Sequence, residues 1–454
     1  MLTNKITLSS EKVLNFLIFF IPASIILGNL IININIFFIC LFGLVKYRLQ
    51  IFKLDQKILL YLLYSFFTYL ILITLIKFIP SLYDKNLYID PYKYDAAKAS
   101  MIKSFLYVRY LIFFLVINKL IEQKALNIKH FFISSAFCSL VLALDIIIQV
   151  VTGKDLLGYP LIGNTPSGFF GTELVAGGYL QKFSLFFIFY GLFFWSNSPK
   201  KKIFFLIISF LFFLSLIVIT NNRMPVLLFL ASIFVFCLIE EKIRKYFLII
   251  VALSLIPFFL ITKFNVKYSH SIDNFYNTTK QIIQEAPKLF YYGKFNEKWY
   301  QHISKENIIK SGPNGHLLVF NTGIQQWKES KLFGSGLKST IINCKYNIEF
   351  IVCSSHPHNY IIEIFLDVGI IGFILIYTIF IYAVLNFKKF YKKNSNSKFR
   401  FISMPFFLII FLEFFPLRSS GSFFTTSNAV LIFLFLAFLI NSSRLYFVEK
   451  KYKR

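Results

Sequence analysis

The chain has 454 residues, 57% hydrophobic and 20% aromatic, with 48 Lys and Arg against 21 Asp and Glu for a net charge of +27. Apolar runs recur from Val13 to Phe438, more than one water-soluble core can absorb, so composition excludes a soluble domain and predicts an all-α polytopic membrane protein. The basic residues fall mainly between those runs, which assigns the charge to topology and excludes a nucleic-acid partner.

In chain order the predicted spans are 13–27, 31–45, 58–79, 104–121, 131–151, 174–195, 203–220, 224–239, 246–262, 369–387, 401–415 and 428–440, about 12 transmembrane helices in all. A helix rising 1.5 Å per residue needs about 20 residues to cross roughly 30 Å of hydrocarbon, fewer in tight hairpins. Asn29, Asn33 and Asn35 interrupt the first two runs. The first run is followed by no small-residue cleavage site and reads as a retained span.

Placing the N-terminus in the cytoplasm puts the lysine clusters inside: Lys46 to Lys57, Lys119 to Lys129, Lys200 to Lys202, Lys242 to Lys245, Lys388 to Arg400, and the tail from Arg444. Both termini are then cytoplasmic. The longest loop, between the ninth and tenth spans, lies outside. The chain divides into 1–262, carrying nine spans; 263–368, a periplasmic loop domain; and 369–454, carrying three spans and the tail.

Three arginines break the inside rule: Arg109, Arg223 and Arg418 each stand at the outer end of a span. A guanidinium there binds phosphate or carboxylate with two donors, or snorkels to lipid headgroups. Arg223 lies in Thr-Asn-Asn-Arg-Met-Pro, where Asn222 is a predicted N-cap and Pro225 fits a first helical turn, so a positive dipole end adds to its charge. Arg418 sits in a hydroxyl-rich turn, Arg-Ser-Ser-Gly-Ser.

Within the outer loop, Phe320, Ile324 and Trp327 share one face of an amphipathic helix. Phe-Gly-Ser-Gly-Leu, 333–337, ends it as a tight turn, because no lysine stands in register with a following helix for phosphate binding. Cys344 and Cys353 are predicted to form a disulfide in an oxidising compartment, since their spacing to His356 and His358 fits no common zinc site. No metal is expected. Pro357 stiffens the turn between the two histidines and Asn359 caps the next helix. As one helix 360–387 would be about 42 Å long, so Gly369 is the predicted joint, with Glu363 and Asp367 on a short segment before it.

The residues that carry these features resemble the O-antigen ligase and polymerase superfamily of bacterial inner-membrane glycosyltransferases. The matching pieces are HPHNYIIEIFLDVGIIGF from His356, WKESKLFGSGLKS from Trp327, NNRMP from Asn221 and FPLRSSGSFFTTSN from Phe415. The resemblance implies a metal-independent, inverting transfer of glycan from undecaprenyl diphosphate, without cofactor, to a lipid A-core or other envelope acceptor hydroxyl on the periplasmic face. It implies His358 as the base and Arg223 as a binder of the donor diphosphate. His356, Asn359 and Asp367 belong to the same motif in supporting places. A second family arginine falls where this chain has His316, which leaves that contact to Arg418 or Arg109. A polysaccharide polymerase uses the same chemistry. A transporter or flippase should carry its polar residues near the bilayer midplane, whereas here they gather on one face.

Overall fold

The computed structural model describes residues 2–83, 91–163, 165–194, 198–264, 280, 315–342, 354–394, 398–416 and 418–445. Each predicted apolar run falls on a helix. In chain order these are α1 (Leu2–Ile26), α2 (Asn29–Tyr47), α3 (Lys57–Tyr83), α4 (Pro91–Glu122), α5 (Ile128–Thr152), α6 (Ala176–Phe194), α7 (Pro199–Ile219), α8 (Arg223–Ile239), the single turn α9 (Glu241–Arg244) and α10 (Phe247–Phe264). After the outer loop come α11 (Gly315–Glu329), α12 (Ser339–Ile342), α13 (Tyr360–Lys393), α14 (Met404–Glu413) and α15 (Thr426–Ile440). Among the described residues there is no strand, only two isolated β-bridges between α5 and α6.

Among the described residues six helices are long and apolar enough to cross a membrane: Asn29–Phe52, Lys57–Pro80, Tyr94–Glu122, Ile128–Thr152, Lys200–Ile219 and Tyr360–Lys393. Arg223–Ile239, Phe247–Pro257 and Thr426–Ile440 are apolar but shorter. The chain is a multi-pass membrane protein. Its outward faces carry apolar side chains such as Phe137, Phe204 and Leu248, as a lipid-facing surface requires.

The core is built around α15. Every residue from Ala429 to Ile440 is buried, because a helix apolar on all sides must be covered on all sides. It packs on α2, α4, α13 and α14. Phe433 meets the rings of Phe67, Tyr107, Tyr110 and Phe114, while Phe435 meets Phe131, Phe183, Phe186 and Phe406. Offset and edge-to-face pairs of this kind add to simple area burial. The phenylalanine-rich composition therefore has a concrete use at this axis.

Two features fix the end of the bundle that holds the histidines. At Gly177 an added Cβ would stand 2.8 Å from Asn222 Cβ, so the absence of a side chain lets the start of α8 rest on the start of α6. The chain after α5 folds back on buried Asp145 and Gln149: Leu156 N donates to Asp145 Oδ1 at 2.9 Å and Gln149 Nε2 to Tyr159 O at 3.2 Å. At the far end of α8 and α13, Arg400 makes two bonds of 2.7 Å to Glu240, and Tyr391 adds a third at 2.8 Å.

Candidate active site

The site starts from a broken helix. Gly369 has φ 64 and ψ −170 inside α13, so the helix divides at the predicted joint and leaves backbone groups without helical partners. The segment before Ser339 supplies them. Ser335 N and Gly336 N donate to Leu366 O and Asp367 O at 2.8 and 2.9 Å, while Ile370 N and Ile371 N donate to Lys331 O and Leu332 O at 3.0 and 3.2 Å. The segment from Lys331 to Gly336 thus caps both halves of α13. Tyr69 and Thr74 of α3 hold the turn from outside, through Phe333 O at 2.9 Å and Leu337 N at 3.1 Å.

Asn359 begins α13 and joins it to the turn after α14. Its Oδ1 accepts from Ile361 N at 2.9 Å and Ile362 N at 3.0 Å, and its Nδ2 donates to Pro416 O at 2.8 Å and Arg418 O at 2.9 Å. One buried amide therefore satisfies four backbone groups. Directly before it, His358 adopts φ 52, a left-handed conformation uncommon outside glycine. Ser420 N donates to His358 O at 2.8 Å and holds the residue there. Asn359→Ala should therefore cost about 1–2 kcal/mol from the cap alone. Asn359→Asp keeps the acceptor and loses both donated bonds, so thermal unfolding of both variants in detergent should rank wild type above Asp and Asp above Ala. Equal stability of all three would remove the residue from this role.

Glu363 and Asp367 lie one turn apart on the short first half of α13, 1% and 0% exposed. Carboxylates at such a place need partners in the protein. Ser422 Oγ donates to Glu363 Oε1 at 2.5 Å, Phe423 N to Oε2 at 2.6 Å, and Lys338 Nζ reaches Ser422 Oγ at 2.5 Å and Glu363 at 3.4 Å. Asp367 accepts from Lys338 N at 2.9 Å, Ser339 N at 3.3 Å and Ser339 Oγ at 3.0 Å. Lys338, itself at φ 60, is tied by its backbone to one carboxylate and by its ammonium to the other.

The histidine rings lie beside this network, centroids 4.2 Å apart and tilted by 56°. Burial lowers the pKa of His356 to about 4, helped by the neighbouring His358 and by the charges of Lys338 and Lys103. Ser355 Oγ is 3.0 Å from its Nδ1. Burial lowers His358 as well, opposed by a hydrogen bond between its ring and the Ser420 backbone and by the charge of Glu363. Both imidazoles are thus favoured as neutral rings near pH 7, one of them fixed by its backbone and by its ring to the same serine.

The predicted arginines occupy three different environments. Arg223 opens α8 and is the exposed one of the three. Asn222 stands at the N-cap position, but its side chain makes no capping bond and donates to Thr220 O at 2.6 Å instead. Arg418 is buried, with Nη1 2.6 Å from Glu413 Oε2 and its guanidinium 5.2 Å from the centre of the Tyr360 ring. Burial works against its charge, and Glu413 more than restores it. Lys182 of α6 meets the other oxygen of Glu413 at 3.2 Å. Arg109 donates to Tyr110 OH at 2.8 Å and to Thr426 Oγ1 at 3.3 Å, joining α4 to α15. His316 lies in the first turn of α11, its side chain outside the described residues. Cys344 and Cys353 also lie outside them.

The structure thus brings His356, His358, Asn359, Asp367 and the Arg418 turn into one cluster. Lys338, Glu363, Ser422 and Glu413 complete it as partners that sequence reasoning did not assign; the one signal for Lys338 was its place after the glycine turn. Among the described residues no group of three or more His, Cys, Asp or Glu is placed to hold a metal ion. His356 feels the positive charges of Lys338 and Lys103, and His358 the negative charge of Glu363, so imidazoles able to accept a proton stand among fixed charges of both signs. Residues 208–377 match the family model described as O-antigen ligase, a stretch that contains Arg223, Lys338, both histidines, Asn359 and Asp367. No curated protein matches the chain.

Proposed function

We propose that this chain, which belongs to the O-antigen ligase superfamily, moves a glycan from undecaprenyl diphosphate to an acceptor hydroxyl of the lipid A core on the periplasmic face of the bacterial inner membrane. The observation that carries the reading is His358, held at a positive φ by the bond from Ser420 N to its carbonyl inside the matched stretch, with burial lowering its pKa. In this reading the contact of its ring with the Ser420 backbone orients the imidazole, and a ring nitrogen takes the acceptor proton. The acceptor oxygen attacks the anomeric carbon, the bond from that carbon to the diphosphate oxygen breaks, and undecaprenyl diphosphate departs with the electron pair. The hydroxyl proton goes to His358. Attack opposite the leaving group inverts the anomeric centre, and no metal takes part.

The leaving group carries negative charge that must be met by cations. Arg223 at the start of α8 supplies a planar fork and a helix N-terminus. Arg109, Arg418 and His316 are the further donor-binding candidates in this reading, with Arg109 better placed than the Glu413-paired Arg418. Arg223→Lys should reduce transfer and donor affinity together by about tenfold, and Arg223→Ala by more, because lysine is a point charge without the fork. Transfer rate and binding of the lipid-linked donor in detergent are the measurements. Wild-type values for the lysine variant would return Arg223 to lipid anchoring.

The wider test is deletion of the gene followed by analysis of envelope glycans. Undecorated core with polymer left on the lipid carrier supports the ligase. Core capped with single repeat units means a polymerase, and loss of both from the outer face means a flippase.

A further inference from the structure

We propose that a cleft at the end of the bundle remote from the histidines binds an anionic phospholipid. The cleft has a volume of about 690 Å³ and lies between the C-terminal ends of α8 and α13 and the start of α14. That size is in the range of ligand sites. Its walls are of two kinds, and the division between them identifies the occupant.

The inner wall is apolar. Ile239, Val384, Phe387 and Phe407 line it, and the rings of Phe387 and Phe407 stack on each other at 4.2 Å with their planes 6° apart, an apolar pair against which an acyl chain can pack. The rim is cationic. Lys242, Lys388 and Lys392 line the cleft and are exposed. Glu240 and Arg400 also face it, but they neutralise each other through two 2.7 Å bonds, and Tyr391 closes the pair. The one exposed carboxylate in the lining is Glu241, so positive charge is in excess at the mouth.

A free phosphate would use the rim and leave the apolar wall wet. A zwitterionic lipid would cover the wall and leave the lysines uncompensated. A phospholipid with net negative charge satisfies both, and basic pockets between membrane helices on the lysine-rich side are suited to such headgroups. The same end carries the Lys388 to Arg400 cluster that the positive-inside pattern places at the inner leaflet, where anionic lipid is met.

The test compares the full-length protein in nanodiscs of phosphatidylcholine alone and of phosphatidylcholine with phosphatidylglycerol, with retained lipid counted by native mass spectrometry. Wild type should retain phosphatidylglycerol in preference to phosphatidylcholine. The triple variant Lys242→Gln/Lys388→Gln/Lys392→Gln should lose about tenfold or more of that preference, with unchanged unfolding temperature in phosphatidylcholine. Val384→Trp fills the apolar wall without altering charge and should also reduce retention. Equal retention of the two lipids by wild type, or full retention by both variants, overturns the proposal. Protection against unfolding by soluble glycerol phosphate equal to that by phosphatidylglycerol overturns it too, since that is an anion site without a lipid.

Discussion

His358→Ala is expected to lower glycan transfer by about 10²–10⁴-fold, the usual contribution of a positioned general base, while binding of the lipid-linked donor stays within about twofold of wild type. The split follows from position: His358 is held against Ser420 by backbone and ring, and its task in the proposed reaction is the acceptor proton. The pH profile gives an independent check. A base works deprotonated, and burial lowers the pKa of His358, so transfer should be flat above about pH 6.5 and fall as pH drops through the lowered value. A limb centred above pH 7, or full transfer by purified His358→Ala, would defeat the assignment. His356, with a pKa of about 4, stays neutral throughout and should contribute no limb of its own near neutrality.

The second large effect is on folding. Gly369→Ala places a Cβ at φ +64, 2.3 Å from Leu332 O and 2.5 Å from Gly334 N. At φ 64 and ψ −170, a region essentially reserved for glycine, an alanine alone costs about 1–3 kcal/mol, and the contacts are with backbone, which has no rotamer to yield. A total loss of about 3 kcal/mol or more is expected, seen as aggregation of the detergent-purified variant at temperatures wild type survives. Gly178→Ala is the matched control, since its added Cβ would meet one atom, Pro225 Cγ, at 3.9 Å. Equal heat resistance of Gly369→Ala and wild type would show that the joint tolerates a side chain.

Local features were legible in the sequence. The apolar runs gave the helices because composition over a span is a strong signal. Gly369 was readable as a joint because one unbroken helix would have left Glu363 and Asp367 in lipid. Asn359 was readable as a cap from its residue type before an apolar run. Tertiary partners were not legible. Nothing in the spacing of Lys338, Glu363 and Ser422 says that they meet, since Ser422 lies 59 positions from Glu363 and 84 from Lys338. Arg418 was conspicuous for its place in the topology, yet the bond that occupies it comes from Glu413, inside a run read as a plain span. Asn222 met the residue preference of an N-cap but used its side chain on Thr220 O, a local competition that residue type alone cannot decide.

The buried axis α15 also bears on how the protein is made. Its 15 residues span only about 22 Å, and every side from Ala429 onward is covered by helices synthesised earlier. A ribosome delivers α2, α4, α13 and α14 before it delivers the element they surround. Those helices must therefore wait in the membrane with their inward faces unpacked, and the bundle closes around a late arrival. Tyr107, Tyr110 and Phe131, whose rings meet α15, are exposed to lipid or to one another during that interval. Assembly of this fold closes when α15 joins the helices that precede it, and the histidine site, bound through Asn359 and Ser420 to the turn before α15, takes its shape in the same step.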